Sequence, residues 1–309
     1  ADSEGVVVNG NSNVVTPDVE ATNGVIHAVD TVLLPNAFLN TAEVAQKNYN
    51  FTTLVDLLVQ ANLVDTVANN EITVFAPTND AFETLFAEVD PNTLTAEQVE
   101  NILLYHTIIG STVLSTDLAA EQTVESGSTE RLYITADESG VTVNASSNVV
   151  TPDVQSANGV IHAVDTVLLP NAFVDVTGIV SKNYNLTTLL GLLSDNDLVG
   201  TLQGAGPFTV FAPTNAAFEA IEGTLATLSS EQVVSTLLHH VYDALVLSTD
   251  LQPSQTVTML NDQDITITVS NSTVTITSAG GATAEVTVAD QVGTNGVVHI
   301  IDGVLVPSF

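Results

Sequence analysis

Apolar and polar positions follow two different periods along this chain, and stretches of the two kinds alternate. Apolar residues spaced at i, i+3, i+4 and i+7 predict an amphipathic helix on Phe51, Leu54, Val55 and Leu58. The later run ITVFAP at 72–77 is rich in strand-forming residues and ends at a proline, which predicts a short strand.

Helix starts can also be located from the sequence. Thr78 and Asn79 can cap a helix that carries the apolar residues Phe82, Leu85 and Phe86 on one side. The tetrapeptides TAEQ at 95–98 and SSEQ at 229–232 have capping-box spacing, so each is predicted to open a helix.

The pattern later changes to strands. Runs of β-branched and alternating residues predict strands at RLYITA (131–136), VTVNA (141–145), VIHAVDTVLL (160–169), ITITVS (265–270) and STVTITS (272–278). Because helices come first and strands later, the predicted fold class is α+β.

One stretch of the sequence occurs three times. NGVIHAVDTVLLPNAF is identical at 23–38 and 158–173, and a diverged copy, NGVVHIIDGVLVPSF, occupies 295–309. TVFAPTNDAF at 73–82 returns as TVFAPTNAAF at 209–218. The spacing between copies is that of a domain rather than of a solenoid repeat.

The repeats predict the domain organisation. Residues 1–39 match only the last quarter of a repeat, so we expect them to be the C-terminal tail of a preceding domain. Complete domains are predicted at 40–171 and 172–309. The chain opens with ADSEG and has no visible signal peptide, as expected of a processed product.

The net charge of the chain limits the kinds of partner that it is expected to bind. The 309 residues contain 36 Asp and Glu against 3 Lys and Arg, a net charge of −33. Such a chain is not expected to bind nucleic acid or anionic lipid, because both need cationic contacts. Cysteine is absent, and no apolar run of 18 residues occurs, so neither disulfides nor membrane insertion is predicted.

The six histidines of the chain are candidates for catalytic or metal-binding chemistry. His106 and His240 each continue an apolar helical stripe, so both are expected in a core, with Asn79 and Asn215 as candidate partners. Tyr105 lies about 100° from His106 on the helix, which predicts a boundary position, with its hydroxyl in water or, alternatively, in contact with a partner. No metal-binding, nucleophile or nucleotide motif appears, so no enzyme activity, metal or cofactor is expected.

Three motifs occur in a fixed order: TVFAPTNDAF, then YH at 105–106, then NGVIHAVDTVLLP. In this order and spacing the chain closely resembles the fasciclin (FAS1) domain family. The resemblance implies tandem domains, each a wedge of β-strands with several α-helices. It also implies a non-enzymatic, secreted or surface-anchored protein used for adhesion, with surface or matrix proteins or glycans as partners.

The resemblance also assigns residues to the family's motifs. The YH adhesion motif corresponds to Tyr105 and His106 in the first full domain, and to His239 and His240 in the second. The remaining matches form the two structural blocks: Thr78, Asn79, Asp80, Asn158, Gly159 and His162 in the first domain, and Thr214, Asn215, Asn295, Gly296 and His299 in the second. In the second domain Ala216 replaces Asp80, and His239 replaces Tyr105.

Two functions follow from these observations. The first is an extracellular adhesion or scaffolding segment of a tandem fasciclin array. The second is a structural subunit of a fibre or surface layer, assembled by strand addition through residues 1–39. In either case the tail is expected to be ordered only against a fasciclin front half, on the same chain or on a neighbouring subunit.

Overall fold

The computed structural model describes residues 5–309 and divides them into two compact units. The first unit ends at Leu168, and the second runs from Leu169 to Phe309. Each unit contains several helices and a mainly antiparallel seven-stranded sheet, so the predicted α+β class is confirmed.

The start of the first unit is a small antiparallel sheet. Its strands are β1 (Val7–Val8), β2 (Ser12–Ala21) and β3 (Gly24–Val29), in the order β1-β2-β3. Strand β3 therefore lies at an edge of this sheet and pairs only with β2 among the described residues.

Five helices follow in the first unit: α1 (Thr41–Gln46), α2 (Thr52–Gln60), α3 (Val64–Asn69), α4 (Asn79–Glu88) and α5 (Ala96–Tyr105). The predicted capping box at the start of α5 is present, because Thr95 and Gln98 exchange side-chain and backbone hydrogen bonds. Thr78 is the N-cap of α4, as its position in the sequence predicts.

The main sheet of the first unit has seven strands: β4 (Ile72–Pro77), β5 (Thr107–Ile109), β6 (Glu121–Glu125), β7 (Arg131–Asp137), β8 (Gly140–Val143), β9 (Ser147–Gln155) and β10 (Gly159–Val164). Their order is β5-β4-β10-β9-β8-β7-β6. The last strand, β10, lies between β9 and β4 and pairs with β4 in parallel, from Gly159 opposite Ile72 to Val164 opposite Pro77. The strand predicted at 160–169 therefore ends five residues early.

The second unit repeats this arrangement. Its helices are α6 (Val176–Lys182), α7 (Thr187–Asp195), α8 (Val199–Leu202), α9 (Asn215–Glu219), α10 (Glu222–Leu225) and α11 (Ser230–Leu238). Its strands are β11 (Phe208–Pro213), β12 (Val241–Tyr242), β13 (Ser254–Thr258), β14 (Asp264–Ser270), β15 (Thr273–Ser278), β16 (Thr283–Gly293) and β17 (Gly296–Ile301). The sheet order is β12-β11-β17-β16-β15-β14-β13, so β17 occupies the place of β10.

Two lysines fix the segments that lead into the helices. Lys47 Nζ donates to the Leu34 carbonyl at 3.0 Å and to Asn36 Oδ1 at 2.9 Å. Lys182 makes the same pair of bonds to the Leu169 carbonyl and to Asn171 Oδ1. Two of the three Lys and Arg residues of the chain therefore hold the start of a domain.

Candidate interaction surface

The APTN turn joins β4 to α4 and ties both to α2. Asn79 Nδ2 donates to the Tyr49 carbonyl at 2.8 Å, and its Oδ1 accepts from the Thr53 amide at 3.1 Å. Asn215 makes the equivalent bonds in the second unit, to the Tyr184 carbonyl and from the Thr188 amide. Each asparagine thus joins the start of its own helix to the start of an earlier helix. Its side chain is therefore not available as a histidine partner.

The threonine before each asparagine begins the next helix. Thr78 accepts a hydrogen bond from the Ala81 amide, and Thr214 accepts one from the Ala217 amide, both at 3.3 Å. Asp80 is exposed in the first turn of α4, where its negative charge stabilises the helix by interacting with the positive end of the helix dipole. Ala216 replaces it in the second unit without loss of the cap.

Asn158 and Gly159 dock the last strand of the first unit. Asn158 Oδ1 accepts from the Thr41 amide at 2.8 Å, and its Nδ2 donates to the Val67 carbonyl at 3.0 Å. A Cβ atom on Gly159 would lie 2.0 Å from the Ile72 carbonyl oxygen. Only a glycine therefore permits the strand to approach β4 this closely.

Asn295 and Gly296 dock the last strand of the second unit in the same way. Asn295 Oδ1 accepts from the Val176 amide at 3.0 Å, and its Nδ2 donates to the Leu202 carbonyl at 2.7 Å. A Cβ on Gly296 would lie 2.2 Å from the Phe208 carbonyl oxygen. Strand β17 is thus held against β11 as β10 is held against β4.

His162 connects the docked strand to two other segments. Its Nδ1 accepts from the Asp153 amide at 3.3 Å, and its Nε2 donates to the Val113 carbonyl at 2.9 Å. The ring stacks on Phe75 with centroids 5.5 Å apart. Burial lowers the pKa of His162, which favours the neutral ring that these two bonds require.

His299 reproduces this arrangement in the second unit. It accepts from the Asp290 amide at 3.1 Å, donates to the Val246 carbonyl at 2.9 Å and stacks on Phe211. Burial lowers the pKa of His299 as well. Both histidines are therefore polar connectors within the sheet.

Two aspartates beside these histidines were missed by the sequence analysis. The Asp153 carboxylate accepts from both the amide and the hydroxyl of Ser115, and Asp290 does the same for Ser248. The repeated LSTDL segments, which contain the two serines, were visible in the sequence, but nothing in them indicated this contact.

His106 is a buried clamp, although its partner differs from the expected one. Nδ1 donates to the Ile102 carbonyl at 2.7 Å, and Nε2 accepts from the Leu168 amide at 2.8 Å. The expected partner Asn79 is engaged elsewhere, so the clamp joins α5 to the segment after β10. Burial lowers the pKa of His106 to about 4.

His240 forms the matching clamp in the second unit. It bonds to the Thr236 carbonyl at 2.7 Å and accepts from the Leu305 amide at 2.9 Å. Burial lowers its pKa to about 4 as well. The expected partner Asn215 is again not involved.

The prediction that the Tyr105 hydroxyl lies in water is wrong. Tyr105 is fully buried, its hydroxyl donates to the Arg131 carbonyl at 3.1 Å, and it accepts from Asn144 Nδ2 at 2.8 Å. The helical wheel fails here because α5 is covered on two sides, and the second side packs on a core that includes Leu132 and Val143. Burial raises the pKa of Tyr105 far above its usual range.

His239 takes the place of Tyr105 in the second unit and is also fully buried. Its Nδ1 bonds to Asn261 Oδ1 at 2.9 Å, but its Nε2 has no hydrogen-bonding partner among residues 5–309. None of the four YH-motif residues is therefore exposed for direct contact with a partner.

Many of the exposed large hydrophobic residues lie in residues 6–38. Strand β3 has the sequence of β10, yet all six of its residues are exposed, with Val25 at 54% and Ile26 at 59%. Its polar residues are exposed too: the His27 side chain at 52% and the Asp18 side chain at 81%. We call Asp18, Asn23 and strand β3 the open edge.

Each element of the open edge has an engaged counterpart in the first unit. Strand β10 pairs with β4, Asn158 binds the ends of α1 and α3, and Asp153 binds Ser115. Among the described residues, β3 has no parallel partner strand. The arrangement can therefore accept a strand, a carbonyl group and a hydroxyl group.

Residues 5–309 contain neither a group of metal-binding side chains nor a helix that could span a membrane. No group of three or more His, Cys, Asp or Glu residues in this part of the chain could hold a metal ion. No helix in the same range is long and apolar enough to cross a membrane.

Similarity to known proteins extends over almost the whole chain. The profile of the fasciclin domain matches residues 1–35, 49–170 and 184–307. Transforming growth factor-beta-induced protein ig-h3 of Sus scrofa is 29% identical over 306 residues, which is 98% of this chain and 43% of that protein. Periostin of Homo sapiens is 26% identical over 311 residues, 99% of this chain and 36% of that protein. The chain thus spans less than half the length of these relatives.

A solved structure shares the fold. The FAS1 domain pair from the insect cell adhesion molecule fasciclin I superimposes with a TM-score of 0.62 at 19% sequence identity. The match covers 83% of this chain and 96% of that chain. At this identity the likeness shows a shared fold.

Proposed function

Because the chain belongs to the fasciclin domain family, we propose that it is a non-enzymatic adhesion and scaffolding segment of a tandem fasciclin array, acting outside the cell or on its surface. The relatives ig-h3 and periostin, together with the cell adhesion molecule fasciclin I, support an adhesion-related role. The ligand is a surface or matrix protein or a glycan.

The observation that carries this proposal is how the motif residues are used. Four side chains of the motifs form hydrogen bonds with backbone groups of the same unit: Asn79, Asn158, His106 and His162. Such engagement supports a framework role, because a catalytic group must have an atom available to the substrate. We accordingly propose that Tyr105 and His106 position the surface that contacts a partner.

The acidic surface favours one kind of partner. With 36 acidic against 3 basic residues, the chain repels anionic ligands and attracts cationic ones at low ionic strength. A basic matrix protein or a glycan with amino groups fits this charge better than a sulfated glycan does.

Binding of the whole chain to defined surfaces tests the proposal. We expect saturable binding to immobilised chitosan or to a collagen, weakening as NaCl rises from about 0.05 to 0.5 M, and no binding to heparin. The heat-unfolded chain is the matched control, since it keeps the charge but loses the fold. Absence of saturable binding to both surfaces, or equal binding by the unfolded chain, contradicts the proposal.

A second function, assembly through the open edge, is favoured by the exposure of β3. The two front-half strands of this chain are already paired on both sides, β4 by β5 and β10, and β11 by β12 and β17. A second copy in this conformation therefore has no unpaired front-half strand to offer. The fitting partner is the front half of a further fasciclin domain.

The front half can come from two sources. In an array it lies on the same polypeptide, where pairing benefits from a high effective concentration, and we favour this version. In a fibre it belongs to a neighbouring subunit, whose β4 or β11 must leave its own sheet before it can add to β3. Light scattering across a concentration series separates them: the fibre requires growth with concentration that Ile26→Asp abolishes, whereas the array version requires a monomer throughout.

A further inference from the structure

The helices of the first unit enclose an apolar cleft that the proposed function does not use. It has a volume of about 310 Å³ and lies between α2, α4 and α5. Its floor is formed by the buried residues Phe82, Val99, Ile102 and Leu103. This volume is at the lower end of the range for small-molecule sites, roughly 300–1,000 Å³.

The walls of the cleft are also apolar. Leu57, Leu85, Phe86 and Leu94 are partly exposed there, and the Phe82 and Phe86 rings lie 5.7 Å apart. The only side chains with hydrogen-bonding groups in the lining are Gln60 and Asn92. A few neutral polar groups around an apolar surface are typical of sites for small organic ligands.

The second unit differs at the corresponding positions. Glu222 replaces Phe86, Thr236 replaces Ile102 and Asn196 replaces Ala61. The long helix α4 corresponds to two short helices there, α9 and α10, and Ile221 and Leu225 pack against the core. The apolar lining is thus a feature of the first unit that the shared fold does not require.

The chain between α4 and α5 completes the cleft. From Thr78 to Thr95 the first unit is two residues longer than the second unit from Thr214 to Ser229. This longer segment contains Pro91 and Asn92, which both line the cleft. The wall and the apolar lining therefore occur together in the same unit.

Charge around the cleft restricts the ligand. Five exposed acidic residues are adjacent in sequence to lining residues: Asp56, Glu83, Asp90, Glu97 and Glu100. Residues 48–130 contain no lysine or arginine. An anionic head group would meet only repulsion there and would lose its hydration on entering the cleft.

We propose that this cleft is a binding site for an uncharged apolar molecule, such as the chain of a medium-length alcohol. The hydrocarbon part contacts Phe82, Phe86 and Leu85, and the neutral polar end is placed at the rim beside Gln60 or Asn92. Fatty-acid anions are excluded by the surrounding carboxylates.

Methyl NMR of the full chain tests this site directly, with 1-octanol and octanoate as probes. We expect 1-octanol to shift the methyl signals of Leu57, Leu85, Val99 and Ile102 saturably, with a Kd of about 1 mM for a ligand of this size. Octanoate is expected to bind at least about tenfold more weakly. The corresponding methyls of the second unit, Leu192, Ile221 and Val233, serve as controls and should not shift.

Two variants introduce residues of the second unit. Phe86→Glu copies Glu222, and the milder Ala61→Asn copies Asn196, so that the site can be tested if the first variant disturbs folding. Each is expected to weaken octanol binding about tenfold while leaving the spectrum of the second unit unchanged. Failure of octanol to shift the cleft methyls, equal binding of octanoate, or unchanged binding in both variants overturns the proposal.

Discussion

Two strands of this protein have the same six residues and opposite environments. Gly24–Val29 and Gly159–Val164 both read GVIHAV, yet every residue of β3 is exposed and every residue of β10 is buried. Strand β10 pairs with the parallel strand β4 and contacts α1, whereas β3 has no parallel partner strand among the described residues. Burial of this segment therefore depends on its tertiary contacts, and its own sequence does not determine it.

Local contacts are the same at the two places. Ser12 Oγ donates to the Thr31 carbonyl at 2.9 Å, and Ser147 Oγ donates to the Thr166 carbonyl at 2.8 Å. The hydrogen bond from the Asp18 amide to His27 Nδ1 likewise matches the bond from the Asp153 amide to His162 Nδ1. These bonds within the hairpin are thus the same at the two places, whereas the pairing with β4 is made only by β10.

The largest expected difference comes from adding one methyl group to each strand. Gly159→Ala places its Cβ 2.0 Å from the Ile72 carbonyl oxygen, whereas Gly24→Ala meets nothing within 4 Å. We expect Gly159→Ala to destabilise the first unit by about 3 kcal/mol and Gly24→Ala to have no measurable effect. Urea unfolding of the two variants checks this, and equal stability of the two would break the comparison.

The clamp after the buried strand gives the next largest effect. Leu168 is 2% exposed and donates its amide to His106, whereas its counterpart Leu33 is 44% exposed. Removing the imidazole leaves the Leu168 amide without its acceptor, so His106→Ala should cost the first unit roughly 1–3 kcal/mol. His240→Ala should cost the second unit the same. Thermal unfolding of the two variants measures these losses. Unchanged melting temperatures in both variants would show that the histidines do not stabilise their units.

Acidification acts on the same clamps. Because burial lowers the pKa of His106 and His240 to about 4, from an ordinary value near 6.5, the unfolded chain binds more protons than the folded one between these values. Each clamp therefore makes its full contribution to the free energy of unfolding above about pH 6.5, and this contribution is lost as the pH falls towards 4. At pH 5 the loss is about 2 kcal/mol for each clamp.

Urea unfolding between pH 7 and pH 4.5 measures this loss. His106→Gln is the matched control, since it cannot titrate and should reduce the pH dependence of the first unit alone, where His162 still titrates. A pH dependence of the first unit that is unchanged in the glutamine variant would assign the loss to other groups.

The smallest difference is expected at the histidine shared by the two strands. His162 bonds to the Val113 carbonyl, whereas the His27 side chain is half exposed. His162→Ala should therefore destabilise the first unit by about 1 kcal/mol, and His27→Ala should leave it unchanged. A stability loss of equal size in both variants would show that the hairpin contact alone matters.

The sequence was sufficient for features that depend on near neighbours. The helix at 51–58, the capping boxes at Thr95 and Ser229, and the Thr78 cap all follow from residues within one or two turns. The spacing of neighbouring residues is enough to predict their hydrogen bonds and apolar faces.

Contacts between distant segments could not be derived in the same way. The parallel pairing of β10 with β4 joins residues 87 positions apart, from Ile72 to Gly159, and no local pattern encodes it. The second cover over Tyr105 comes from strands that follow it in the chain, so a helical wheel cannot reveal it. The partners of Asn79 and His106 depend on the same tertiary arrangement.

Hydrogen exchange on the chain at low concentration tests our central proposal, that β3 lacks the parallel partner strand that β10 has. We expect amides at Val25–Leu34 to exchange at least about 100-fold faster than those at Val160–Leu169 in the same molecule, because only the second set is covered by β4. Protection of Val25–Leu34 equal to that of Val160–Leu169 would contradict the account. Protection that appears only on polymerisation would favour the fibre over the array.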